Sequence, residues 1–219
     1  LATWQVIFLN ILVEGRLRAM IINCRGYKYG DLLTKFPSVF DIGEVVKVKR
    51  KCIVFQEGEP GDYIYVLLSG ILMSYKISEL GQLRILRFFR PPCVLGNITL
   101  FDDIPHTITV ESLGPSSYLK VKKGDLIDLI GREPLILRSL YMDMAMKLKE
   151  TSELVVNNYF GAEERIANSL VLLSEQFGSK TERGVELLIN VTHEELASFA
   201  GSTRVTVTRF LSALVEEGV

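Results

Sequence analysis

Four residues near the C-terminus have the types and spacing to do chemistry on nucleic-acid bases. Arg204, Val205, Thr208 and Arg209 fall one, three and one apart along the chain, so a helix places them on one face. Val207, Leu211 and Leu214, four and three apart, share a different and apolar stripe. A guanidinium bonds bidentately to guanine O6 and N7, a threonine hydroxyl reaches bases or phosphates, and Val205 suits a thymine methyl. Ser202 and Thr203 stand just before this helix as its candidate N-caps.

The element that must position this face lies immediately upstream. Thr192 and Glu195 have capping-box spacing, and Leu196, Phe199 and Ala200 recur at helical intervals. Gly201 supplies the turn. Two short helices joined at a glycine form the helix-turn-helix pattern, in which the first crosses the DNA backbone and the second enters the major groove. On pattern alone, an ordinary helical hairpin with a solvated arginine face stays open.

Composition limits the alternatives. The chain has 219 residues, 48% of them hydrophobic and 23% charged, which is the signature of a folded protein. Net charge is −1, so phosphate contacts are expected to be modest and dimerisation to be needed for firm DNA binding. The stretch from Gly201 to Val215 is free of acids. Cys24, Cys52 and Cys93 are scattered without CxxC spacing, which points away from zinc and disulfides and toward a reducing cytoplasm. His106 and His193 are the only histidines, too few for a metal-dependent enzyme on a β-roll, and no nucleophile motif or P-loop is present. No catalytic residue, metal site or haem is expected.

The first residues, Leu1–Val13, are apolar apart from Thr3, Gln5 and Asn10. This run is shorter than the ~20 residues that span a bilayer. Arg16 and Arg18 follow it, whereas a signal peptide places its charges first. A helix packed on the protein body is expected, with no membrane partner. Tyr29–Phe40 is expected to hold a short helix ended near Pro37. From Val45 the pattern changes to short apolar or alternating runs with glycine turns, the grammar of an all-β roll or barrel. Strands resume at His106–Ser112 and Ser117–Val121. A short helix over Gly124–Ile130 precedes Pro134, and Leu135–Asn158, free of Gly and Pro, would run about 36 Å as a helix. Within it Leu137, Leu140, Met144, Leu148, Thr151 and Val155 are three or four apart. That spacing is a coiled-coil seam, or alternatively the face of a helix packed on its own roll. Ala162–Phe177 reads as an amphipathic helix and Gly184–Val191 as a strand leading into the two-helix unit.

These residues carry a resemblance. GSTRVTVTR, Gly201–Arg209, is similar to the recognition helix of the Crp/Fnr family, in particular that of the cyanobacterial nitrogen-control regulator. The order GEPGD, YIYVLLSG, LG and a glycine at position 96 resembles the cyclic-nucleotide-binding β-roll. The resemblance implies an α+β fold with four parts. These are an N-terminal helical extension (1–44), a β-roll sensor (45–124), a short helix and long dimerisation helix (125–158), and a winged helix-turn-helix (159–219). In the family a hairpin wing follows the point where this chain stops. The N-terminal cysteine cluster of the Fnr branch is absent.

The resemblance also implies roles. Ser202, Thr203, Arg204, Val205, Thr208 and Arg209 would meet DNA, and Leu135–Asn158 would form the dimer seam. Gly96, Asn97, Ile98, His106, Thr107 and Thr151 would line the effector pocket. In cyclic-nucleotide binders a Glu holds the ribose and an Arg–Ser pair the phosphate. In this chain Asn97 stands for the Glu and His106–Thr107 for Arg–Ser, which gives up a fixed charge. Arg84, Arg87 and Arg90 on a neighbouring strand are alternative sources of charge. The similarity of the reading helix puts 2-oxoglutarate, the nitrogen-control ligand, ahead of cyclic AMP as the effector, and no effector or a different one stays open. The expected protein is a homodimeric, cytoplasmic transcription regulator that binds a near-palindromic DNA operator and engages RNA polymerase. The rival readings are an effector-sensing module that does not touch DNA and a small-molecule enzyme on a cupin-like roll.

Overall fold

The computed structural model describes residues 32, 35–182 and 184–217. The expected N-terminal helix at Leu1–Val13 and Cys24 lie outside them. The chain divides into two compact units, one ending at Val156 and the other beginning at Asn157.

The first unit is a β-roll of two four-stranded sheets. Strands β1 (Gly43–Val48), β2 (Ile53–Phe55), β3 (Tyr63–Ser69), β4 (Leu72–Ile77), β5 (Leu83–Phe89), β6 (Cys93–Leu95), β7 (Thr109–Ser112) and β8 (Ser116–Lys122) pair in the orders β1-β8-β3-β6 and β2-β7-β4-β5. All these pairings are antiparallel. The sequence of β3 explains why this sheet is buried on both sides. Tyr65 and Leu67 point into the space between the sheets, with Phe55, Leu72, Phe89, Cys93, Leu95, Val110 and Tyr118. Ile64 and Val66, on the alternate face, pack with Leu119, Val121 and the apolar sides of the helices.

Two helices cover that outer face. Helix α2 (Lys123–Arg132) buries Leu126 and Leu129, and α3 (Leu135–Asn157) buries Ile136 and Leu140. A short turn, α1 (Ser38–Asp41), buries Val39 in the same cluster. Leu32 and Lys35 are helical and Phe36 is not, so the expected helix stops just before Pro37, which then occupies the N-cap of α1. The strand expected from His106 begins only at Thr109. His106 is instead held in a loop, its N–H donating to Glu59 O (2.9 Å) and its carbonyl accepting from Gly58 N–H (2.8 Å).

The second unit holds α4 (Ala162–Phe177), a hairpin of β9 (Gly178–Thr181) and β10 (Gly184–Leu187), α5 (His193–Ala200) and α6 (Arg204–Glu216). The strand expected to reach Val191 stops at Leu187 and pairs with β9, a partner with no signal in the sequence. Ile166, Leu170, Leu173 and Phe177 from α4 are buried, as are Leu196, Phe199, Val207 and Leu211 from the last two helices.

Candidate functional site

The C-terminal pair of helices is capped by its own side chains. Thr192 Oγ1 accepts from Glu195 N–H (3.2 Å), and Glu195 Oε2 accepts from Thr192 N–H (2.7 Å), a reciprocal box at the start of α5. Gly201 ends α5 at φ 63°, a left-handed conformation that costs a side-chain-bearing residue strain. Of the two candidate caps for α6, Thr203 takes the role: its Oγ1 accepts from Thr206 N–H (3.1 Å). Ser202 is half-buried in the turn, and its N–H donates to Ala197 O (2.9 Å).

Helix α6 then has two faces. Val207 and Leu211 are buried against the unit's core, and Leu214 is half-buried. Arg204, Val205, Thr208 and Arg209 are all exposed, Val205 at 78%. A bare valine beside two guanidinium groups is a surface suited to a partner with both methyl and acceptor groups. Arg209 makes a loose surface pair with Glu163 (Nη2–Oε1 3.4 Å), an interaction of little energetic weight. Thr208 Oγ1 donates to Arg204 O (2.9 Å) and lies 2.7 Å from His193 Nδ1. Burial, and then the neighbouring Arg204 charge, hold the His193 imidazole below its ordinary value.

Arg165, not anticipated from the sequence, fixes the angle between the helices. From α4 its Nε donates to Ala200 O (3.1 Å), its Nη2 to Gly201 O (2.8 Å) and its Nη1 to Phe160 O (2.7 Å). The guanidinium thus occupies the carbonyl-rich end of α5 and the turn after it, where a positive charge is favoured.

In the roll, the six expected pocket residues do not converge. Gly96 and His106 are neighbours: Gly96 sits at φ 77°, and a Cβ there would meet Tyr63 O at 3.0 Å and His106 Cε1 at 3.4 Å. His106 is buried at 4% exposure, stacked on Phe55 with ring centroids 4.0 Å apart. Burial lowers its basicity, against the weaker upward pull of Glu59 and Asp62, and its Nε2 meets no hydrogen-bond partner among the described residues. Tyr65 and Tyr118 complete this aromatic cluster, and burial pushes the Tyr65 phenol up to about 12. Ile98 and Thr107, by contrast, are exposed.

Asn97 turns away from Gly96. Its amide donates to Asp143 Oδ2 on α3 (3.0 Å), a carboxylate that also accepts from Lys147 Nζ (2.6 Å). Lys147 Nζ donates further to Val94 O, two residues before Gly96. Beside it Arg87 on β5 bonds to Glu150, to Lys147 O (2.9 Å) and to Thr151 Oγ1 (3.1 Å). Thr151 therefore belongs to this network between sheet and helix and not to the Gly96–His106 corner.

The expected seam on α3 needs one correction. Leu140 is 2% exposed and packs in the roll's own core with Ile136 and Leu129. The outward row is Leu137, Tyr141, Met144, Leu148, Thr151 and Val155, all exposed, with Leu148 at 70%. Tyr141 takes the place expected of Leu140.

Comparison with known proteins decides the family. Residues 45–133 match the cyclic nucleotide-binding domain and residues 164–219 the Crp-like helix-turn-helix domain. The cyclic AMP receptor protein of Thermus thermophilus is 31% identical over 167 residues, which cover 76% of this chain and 74% of that protein. The chain belongs to the Crp/Fnr family of transcription regulators. The CRP-like cAMP-activated global transcriptional regulator of Mycobacterium tuberculosis is 26% identical over 174 residues, 79% of this chain and 78% of its own. The structure of FixK2 from Bradyrhizobium japonicum has the same fold, with a TM-score of 0.71 at 23% identity over 81% of this chain and 87% of that one.

This Crp/Fnr regulator thus carries a DNA-binding helix-turn-helix in α5–α6 and a sensor domain of the cyclic-nucleotide-binding type in the roll. The domain type implies a small-molecule effector. No helix among the described residues is long and apolar enough to cross a membrane.

Proposed function

We propose that the protein is a homodimer whose two α6 helices read the half-sites of a near-palindromic operator, about 34 Å apart, under the control of an anionic effector. The observation that carries the reading is the division of α6. Its apolar stripe is spent on the core, while Arg204, Val205, Thr208 and Arg209 are left outside on a helix whose start is held by the Thr203 cap and the Arg165 clasp. Arginine to guanine O6/N7 and Val205 to a thymine methyl are the contacts those groups make best. The exposed apolar row of α3 is the pairing surface, and recruitment of RNA polymerase is the expected output of binding.

The corner at Gly96 and His106 does not fit a cyclic phosphate. Its one basic side chain is buried, stacked and depressed in basicity, and Asn97 is committed to Asp143. Cationic groups lie instead at Arg87 and Lys147, now bonded to the carboxylates of Glu150 and Asp143. A dicarboxylate such as 2-oxoglutarate can replace two carboxylates with two; cyclic AMP, with one charge, cannot. Such a replacement would loosen α3 from the sheet, and the effector would act by favouring one arrangement of the paired helices.

Gel-shift titration tests the DNA assignment. Arg204→Ala and Arg209→Ala are each expected to lose operator discrimination while the protein keeps its thermal melt. Unchanged operator affinity in both would overturn it. Titration calorimetry with 2-oxoglutarate and with cyclic AMP tests the effector; tight binding of cyclic AMP alone would make the cyclic nucleotide the effector instead.

A further inference from the structure

Thr208 is one of the four exposed groups on α6, and its hydroxyl has its single proton already assigned. The Arg204 carbonyl, 2.9 Å away, can only accept, so that proton points along the helix to it. With that proton on Arg204, the contact with His193 Nδ1 at 2.7 Å requires the tautomer protonated at Nδ1, whose N–H donates while Oγ1 accepts. His193 is the first residue of α5 and Thr208 lies in the second turn of α6, so the bond crosses between the two helices. With one lone pair taken by His193 and its proton taken by Arg204, the Thr208 oxygen has a single remaining capacity, an acceptor.

We infer that Thr208 reads DNA as an acceptor, choosing a base that offers an amino group in the major groove, and that His193 is the positioning residue that enforces this choice. A free threonine hydroxyl donates or accepts and so tells bases apart poorly. Held in this way, it is matched to adenine N6 or cytosine N4 and mismatched to guanine O6 or thymine O4, which are acceptors themselves. His193 thereby sharpens base selection without needing to touch a base. This rests on the reading of α6 as the helix that faces DNA.

The test is selection from a half-site library randomised at every position, using the full chain as wild type, Thr208→Val, His193→Ala, His193→Asn and Arg204→Ala. The wild type is expected to favour adenine or cytosine at one position per half-site by roughly three- to ten-fold, the effect of one hydrogen bond made or left unmade. Thr208→Val keeps the shape, loses the oxygen and should flatten that position alone. His193→Ala should flatten the same position. His193→Asn, which places an N–H donor at the reach of Nδ1, should restore it. A preference that survives Thr208→Val overturns the inference. So does a His193→Ala protein weakened equally on every sequence with a shallower salt dependence, since that marks a phosphate contact. Arg204→Ala separates this from failure of the wider reading: if its profile matches wild type, α6 does not face the bases. Thermal melts of each variant guard against loss of fold, above all at His193, which is half-buried where Arg204 and Thr208 are exposed.

Discussion

Removing the Arg165 guanidinium should unfasten the turn between α5 and α6. Two of its three bonds, to Ala200 O and Gly201 O, are partly shielded from water; the third, to Phe160 O, is exposed. Counting about 1 kcal/mol for each shielded bond and nothing for the exposed one gives about 2 kcal/mol. The positive charge at the end of α5 adds about 0.5 kcal/mol. The loss is local, so a local reporter is required. Ser202 N–H, bonded to Ala197 O at 2.9 Å, and Val207 N–H, bonded to Thr203 O at 3.0 Å, lie on either side of the turn. In Arg165→Ala their hydrogen exchange should quicken about seventy-fold, the equivalent of about 2.5 kcal/mol of opening free energy. Arg165→Lys should recover less than half of this, because one ammonium cannot serve two carbonyls set at guanidinium spacing. Operator discrimination should fall with it. If exchange at both amides changes by less than about two-fold, the clasp is ornamental and the angle between the helices is set by packing alone.

Other outcomes follow from burial and charge. Leu140→Ala should cost about 2–5 kcal/mol in urea denaturation, as expected for a filled core site, and leave association unchanged. Tyr141→Lys or Met144→Lys should do the reverse, giving monomers in sedimentation with an intact melt; a persistent dimer puts the pairing surface elsewhere. His106 makes the roll sensitive to acid. Its folded-state basicity lies below the ordinary 6.5, so the unfolded chain takes up the proton first. Stability is complete above that value and declines as pH falls below it toward the folded value. Comparing urea midpoints at about pH 7.5 and about pH 5.5, on either side of the ordinary histidine value, His106→Gln should show a smaller drop than wild type. An equal drop would assign the acid sensitivity to other groups.

The two-helix unit is legible in the sequence because its determinants are local. A capping box spans four residues, a glycine ends a helix where it stands, and the periodicity of Val207 and Leu211 names the buried side. The roll is legible as a class from its punctuation, although the order of its strands is not. Arg165 is invisible, since its acceptors are backbone carbonyls 35 and 36 residues away that leave no mark in the sequence. Asn97 misleads for a related reason. Its position matches that of a ligand-binding glutamate, and nothing in the chain announces Asp143 as its partner 46 residues on.

The α3 seam shows where periodicity runs out. Residues 136, 140, 143, 147, 150 and 154 are buried or half-buried, while 137, 141, 144, 148, 151 and 155 are exposed. Both rows step four, three, four, three, four. Either spacing satisfies a helical stripe, so apolar periodicity alone lets the two merge at Leu140.

Two parallel rows, one step out of phase, leave α3 little freedom to spin. A twist of one residue is about 100°, enough to drive Leu137 and Tyr141 toward the sheet and carry Asp143 and Lys147 off their anchors. Rolling about its long axis is therefore barred to this rod. Whatever mechanical message it carries toward a second copy must be sent by gliding or leaning, with the ionic rivets at Arg87 and Lys147 setting how far it travels.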